Sequence, residues 1–440
     1  MNRMMSFGLS MRYLGYHAAS WRHPDANPRG GMQFAHFAEV ARKAEAAGFD
    51  MLFLADGIGI RTVDSPVGAL AQTAQTADLE PLTLLSALSA VTTNIGLVAT
   101  ASTTYNEPFH VARKYASLDR ISGGRAGWNI VTSWSEAEAW NFGRDTHLGY
   151  AERYERAYEF ADVVEGLWHS WGTDAIVADK KTGIFLDTSR LRVMNHKGPH
   201  FRVRGPLDVP PSPQGHPVMV QAGASDAGIE LAARKAEVVY ALPHDLQMAE
   251  SYSRRLRGAL EQHGRDPRGI RILAGITPYI GATMAEAQEK YDAMNALILP
   301  ELGLSYLYAQ LGDLSAFPLD GPVPDPVDPR VRSIAQGLIT MARSRNMTIR
   351  QLYNFIAAGF GSRVVIGTPE SIVDEMQEWF ETGFVDGFNL CPALLPMDID
   401  SFSNHILPEL RRRGLARTGY AGSTLRANLG LPMPGCCYPA

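Results

Sequence analysis

The chain has 440 residues, with 41 Lys plus Arg against 46 Asp plus Glu and a formal net charge of −5, so it lacks the basic excess that nucleic acid as a main partner requires. At 45 % hydrophobic and 20 % charged residues it is a folded globular sequence, not a disordered one. Three cysteines, Cys391, Cys436 and Cys437, make neither a disulfide framework nor a spaced metal cage, and no stretch approaches roughly 20 uninterrupted apolar residues, so a cytoplasmic protein without membrane span or metal is expected.

The first strand is read at 8–16. FAHFAEVARKAEAAGF then places Phe34, Phe37, Ala41 and Ala44 on one helical face, and Gly48 offers the left-handed stop before a strand at 51–55. A helix opened by Pro81 covers 81–93, where the missing proline N–H costs nothing, and it feeds a strand at 95–101. Helix 106–121 ends at Gly123-Gly124, strand 126–131 follows, and 151–171 is a long helix. The rhythm breaks at 174–217, where prolines and short alternating runs such as HFRVRG indicate an inserted β excursion. It resumes with strand 218–221, helix 225–236, strand 237–242, helix 245–263 and strand 270–276. The segment 297–347, with its PLDGPVPDPVDP run, is too long for a plain loop and reads as an insertion or lid. Helix 368–382, strand 386–390, helix 398–413 and an extended tail over 414–440 complete the chain.

Eight strands separated by helices predict a (β/α)8 TIM barrel, one domain over 1–440 interrupted by the two insertions. The alternative is a doubly wound open sheet, which would usually carry a GxGxxG turn after an early strand; that motif is absent.

In a barrel, reactive groups belong at the C-terminal strand ends. Those ends are Tyr16-His17, Ala55-Asp56-Gly57, Thr100-Ala101-Ser102, Asn129 to Trp134, and Gln221 to Ser225, where apolar strands turn to small, hydroxyl or amide side chains. VMVQAGASDAG runs a strand through Ala222, Gly223 and Ala224 to Ser225 and a helix start. It is either an anion seat of free N–H groups or an ordinary Ser N-cap. With no P-loop lysine, a phosphate monoester such as that of FMN suits it better than a triphosphate. RAGWNIVTSWSEAEAWNFG combines stacking surface with amide and hydroxyl groups suited to an isoalloxazine or aromatic substrate, or else is core tryptophan and a turn. Arg153 and Tyr154 suit a phosphate or form a solvated helix face, and Asp56 either caps a turn or receives cofactor donors. His17, His23 and His110 stand outside any metal motif, and no G-x-S-x-G nucleophile elbow occurs.

Strings such as GYHAASWRHPDA, FDMLFLADGIGI, TASTTYNEPFHVARKYASLDRISGGRAGWNIVTS, NFGRDTHLGYAERY, SPQGHPVMVQAGAS and DGFNLCPALLP resemble the nitrilotriacetate and dibenzothiophene-sulfone monooxygenase group of the bacterial luciferase-like superfamily. The resemblance runs from about residue 13 to 431. It implies a two-component, FMN-dependent monooxygenase. Reduced FMN would come from a separate NAD(P)H-dependent flavin reductase and react with oxygen to a C4a-hydroperoxide that oxygenates a small N- or S-containing substrate. Homodimers or homotetramers are implied as well. The flavin contacts implied are Asp56, Thr100, Ser133, Trp134, Tyr154, Ala222, Gly223, Ala224 and Ser225. An alkane-oxidising relative carries a proposed catalytic histidine where this chain has Trp134, so no imidazole is available there, and His17 is the candidate for substrate or peroxide contact. The alternatives are a deazaflavin-dependent reductase of the same superfamily and a non-catalytic flavin-binding protein.

Overall fold

A computed structural model describes residues 3–172, 174–326 and 332–435; Cys436 and Cys437 lie outside them. Eight parallel strands close a barrel: β1 (Ser6–Ser10), β2 (Met51–Leu54), β3 (Gly96–Ser102), β4 (Ala126–Val131), β5 (Val218–Gln221), β6 (Val238–Ala241), β7 (Arg271–Ile280) and β8 (Gly387–Leu390). Closure comes from β8 pairing with β1 on one side and β7 on the other, with Gly8 opposite both Asn389 and Met51. Strand β1 stops at Ser10, six residues short of the expected end, and the backbone then turns through Tyr13 and Gly15, both at positive φ. Strand β7 runs four residues beyond its expected end because its upper half pairs with Arg363–Gly367, a strand that the sequence reading missed.

Side chains alternate across each strand, and the two faces differ sharply. Leu52, Leu97, Trp128 and Ile130 point outward into the large core shared with the helices, including Val111, Tyr115, Phe160 and Val164. Met51, Phe53, Val98, Val218, Val220, Val238 and Leu273 point inward and form a separate apolar cluster. On the same inward rows but nearer the C-terminal strand ends stand Ser10, Thr100, Asn129 and Asn389. The barrel is therefore apolar at its base and polar at its mouth.

The base is closed by the chain's own C-terminal segment. Rather than staying extended, residues after Gly414 carry a helical turn, Leu425–Asn428, that drives Leu425, Leu429 and Leu431 into the inward cluster. Gly96 makes room: a Cβ there would stand 2.4 Å from Leu425 Cδ1. Polar ties fix the plug, with Arg271 donating to the carbonyls of Leu429 and Gly430 at 2.9 and 3.0 Å and Arg417 pairing with buried Asp50.

The segment 174–217 contains two short antiparallel pairs, Ile176–Asp179 with Ile184–Leu186 and His196–Lys197 with Arg202–Val203. Over 297–347, helices Pro300–Leu311 and Arg332–Ser344 share an apolar cluster with Ile349–Ala357. That cluster leans on the loop after β2 through Tyr306 Oη donating to Gln75 Oε1 at 3.0 Å and Gln72 Nε2 donating to Glu301 at 3.0 Å. Among the described residues no helix is long and apolar enough to cross a membrane.

Candidate functional site

The polar mouth opens into a cavity of about 360 Å³ over the ends of β2 to β5, within the size range of small-molecule sites. Asp56, Thr100, Ser133, Trp134, Tyr154, Ala222 and Gly223 all line it, although they come from segments up to 167 residues apart. The barrel brings them together because each ends or follows a parallel strand whose outward neighbours lock into the helical core.

The floor is rigid. Thr100 Oγ1 donates to Leu54 O at 2.7 Å and accepts from Asn129 Nδ2 at 2.8 Å, while Asn129 Oδ1 is buried without a partner among the described residues. An orphaned acceptor beneath a cavity mouth is a place for a ligand donor or a water. Ser102 and Ser133 hydroxyls meet at 2.7 Å, and the Arg153 guanidinium holds the Ser133 carbonyl. Ser133 itself sits at φ +57°, a conformation rare for a non-glycine residue and one that turns the chain sharply at the cavity wall. Trp134 follows it and is 84 % exposed at the rim.

At one end, Tyr154 Oη lies 3.4 Å from Ser225 Oγ, and that hydroxyl caps the helix Asp226–Lys235 by accepting the Gly228 N–H at 3.2 Å. The N–H groups of Ala224 and Ser225 have no hydrogen-bond partner among the described residues. The expected row of free amides is one shorter than the sequence suggests, because Gln221 Oε1 takes the Gly223 N–H at 2.7 Å. Ala224 faces an adjoining trough of about 430 Å³ that shares Ala222 and Gly223 with the first cavity and is bounded by Leu242, Tyr252 and Arg255. At the other end, burial and the neighbouring Asp78 carboxylate push the Asp56 carboxyl up to about 6, while Arg12, engaged with Asp78 at 2.9 Å, pulls the other way.

His17 does not join this group. Its ring is 1 % exposed, Nδ1 accepts the Ala19 N–H at 3.1 Å, and Nε2 faces Asn295 Oδ1 at 3.2 Å. An acceptor at Nδ1 puts the neutral-form proton on Nε2, so both nitrogens are engaged in the fold. Burial pushes the imidazole down to about 4. Sequence reasoning missed Glu138, which lines the cavity. Its signal was the capping box Ser135-Glu136-Ala137-Glu138 at the start of the short helix Glu136–Trp140. Among the described residues no group of three or more His, Cys, Asp or Glu side chains is placed to hold a metal.

These residues fit a flavin mononucleotide. Tyr154, Ser225, Arg153 and two free amides supply donors for a phosphate, Ile130 and Trp134 supply apolar surface, and Asp56, Thr100 and Asn129 supply polar partners for a heteroaromatic edge.

The sequence profile of the luciferase-like monooxygenases matches residues 14–386. The chain is 46 % identical over 437 residues to N-acetyl-S-(2-succino)cysteine monooxygenase of Bacillus subtilis (strain 168), covering 98 % of each. It is 43 % identical over 442 residues to nitrilotriacetate monooxygenase component A of Aminobacter aminovorans, again covering 98 % of each. The crystal structure of riboflavin lyase with modified FMN and the substrate riboflavin superposes with a TM-score of 0.84 at 32 % identity, over 98 % of this chain and 97 % of that one. A profile that runs from the loop after β1 up to the start of β8, with full-length relatives at this identity, leaves one assignment: the chain belongs to the luciferase-like monooxygenase family.

Proposed function

We propose that this monooxygenase takes reduced FMN from a separate NAD(P)H-dependent reductase, holds it in the cavity over β2 to β5, and oxygenates a small organic compound at nitrogen or sulfur. The observation that carries the reading is the convergence of Asp56, Thr100, Ser133, Trp134, Tyr154, Ala222 and Gly223 on one cavity, with Ser225 beside it. The word "component" in the nitrilotriacetate relative's name supports a second protein in the system. Carboxylated amines and thioethers are the first substrates to try, since two relatives are named for such compounds.

Reduced flavin, when bound, supplies the electrons with which molecular oxygen is activated. The chain's own residues bind and orient. Tyr154 and Ser225 hydroxyls with the Ala224 and Ser225 amides would hold the phosphate, and the fixed Thr100 and Asn129 pair would meet the ring's polar edge. The 297–347 insertion, packed on the loop after β2, would cover the mouth and exclude water.

Oxygen uptake with photoreduced FMN tests the reading. Consumption that rises with a carboxylated thioether or amine and yields an oxygenated product is the expected result. Hydride transfer from a reduced deazaflavin with no oxygen use would replace it by the reductase alternative, and uptake ending only in hydrogen peroxide, whatever compound is offered, by the flavin-binding one. Ser225→Ala should weaken reduced-FMN binding by about 1 kcal/mol or more through the lost charge-assisted bond to the phosphate, while the lost cap bond to Gly228 costs helix stability and not affinity. Anaerobic flavin titration measures this, and an unchanged Kd removes Ser225 from the site.

A further inference from the structure

We propose that Glu138 is a positioning residue: one buried carboxylate clasps the loop after β2 to the loop after β4, so that the two form a single preshaped rim over the flavin cavity. The inference rests on the cavity being the flavin's. Glu138 is 4 % exposed and has no ion-pair partner among the described residues. A carboxylate buried without a countercharge is costly unless donors surround it. Three backbone N–H groups do so. Ile58 donates to Oε1, and Trp134 and Ser135 donate to Oε2, each at 3.2 Å.

Two further contacts show that the loops are built to touch. Asn141 Nδ2 donates to Ile58 O at 2.8 Å, so the helix that carries Glu138 grips Ile58 by its N–H and its carbonyl. A Cβ on Gly59 would stand 2.6 Å from Glu138 N and 2.7 Å from Ala137 C, an approach that no side chain permits. A helix of this length needs only the reciprocal bond from its own N-cap to be a capping box. The bond to Ile58, 80 residues away, lies outside that motif and is the part that shapes the site.

The clasp acts through Trp134. Ser133, at φ +57°, is held by Ser102 and by Arg153, and the next N–H is held by Glu138, so the backbone on both sides of the turn is fixed while the indole stays exposed. A fixed backbone under a free ring presents Trp134 as the cover that settles on a bound flavin. It spares the ligand the cost of ordering the rim on binding.

Glu138→Gln replaces one acceptor oxygen by an NH2 group, which cannot accept, so either Ile58 or the Trp134 and Ser135 pair is released. Gly59→Ala wedges the same two loops apart with the carboxylate intact. In both variants we expect faster hydrogen exchange at the amides of Ile58, Trp134 and Ser135, with no comparable change in the barrel strands. Reduced FMN should bind roughly tenfold more weakly, the size expected for one charge-assisted hydrogen bond, and more hydrogen peroxide should form per oxygen consumed. If Glu138→Gln does not fold, Gly59→Ala decides. Unchanged exchange at these three amides, or flavin affinity and peroxide yield both equal to the parent's despite a lowered Tm, overturns the proposal. If the parent chain itself ignores FMN the flavin reading fails, and the exchange measurement still judges the clasp.

Discussion

Arg426→Ala should destabilise the protein by about 3–5 kcal/mol, the cost of removing one partner from a buried ion pair, while leaving flavin affinity unchanged. The guanidinium is 1 % exposed and pairs with Glu237, and it also donates to the carbonyls of Pro432 at 2.9 Å, Gln214 at 3.1 Å and His216 at 3.4 Å. Alanine would leave a largely buried carboxylate and three carbonyls without their donor. Among the described residues Glu237 keeps only the hydrogen bond from the Met219 N–H, at 3.1 Å, which does not neutralise it. The Leu425, Leu429 and Leu431 plug would lose its polar anchor at the same time, so a packing loss adds to the unpaired charge. Urea unfolding of parent and variant gives the difference. The double variant Arg426→Met with Glu237→Leu should recover part of it, because the unpaired charge is gone while the three carbonyls still lack a donor. A loss below about 1 kcal/mol for Arg426→Ala would mean that the C-terminal segment is not what closes the barrel base.

That closure shows where the sequence was legible and where it was not. Strands 126–131 and 218–221 coincide with β4 and β5 to the residue, because an apolar run bounded by a Gly-Gly turn or a proline has few other readings. The tail was opaque. Its four leucines after Gly414 are spread over a segment with no helical or alternating period long enough to see, and the destination of three of them, Leu425, Leu429 and Leu431, inside the barrel is a non-local fact. Strand Arg363–Gly367 was missed for a related reason: it lies beyond the long insertion and the helix Ile349–Ala357, and among the described residues it pairs only with the overhanging half of β7. At the site, strand-end position and the family resemblance together named the residues that the barrel gathers. Neither could reveal that Gln221 would occupy the Gly223 amide, that Glu138 would reach Ile58, or that His17 would be sealed against Asn295. Those depend on side-chain direction across elements that are distant in the chain.

Asp56→Asn should make the protein more stable above pH 6 and at the same time weaken its grip on reduced FMN. In the folded chain the carboxyl ionises near 6, against an ordinary value of 3.8, because burial and the Asp78 charge disfavour the anion more than Arg12 favours it. Below pH 3.8 the group is protonated in both folded and unfolded chains and contributes nothing. As pH rises from 3.8 to 6 the unfolded chain ionises first, so the folded state loses ground, and above 6 the full penalty of about 2–3 kcal/mol stands. Asparagine never ionises and escapes it, while its side-chain oxygen can still accept a backbone N–H. Thermal unfolding at pH 8 and at pH 4 separates the cases: a higher Tm for the variant at pH 8 that shrinks toward pH 4 is expected, and equal Tm values at both would mean that the carboxyl is not strained. The flavin titration is the other half of the argument. A carboxylate that costs stability at the edge of a cavity is a candidate ligand contact. Removing it should therefore raise the Kd, and a variant that gained stability with full flavin affinity would place the ring's polar edge elsewhere along the β2 to β5 mouth.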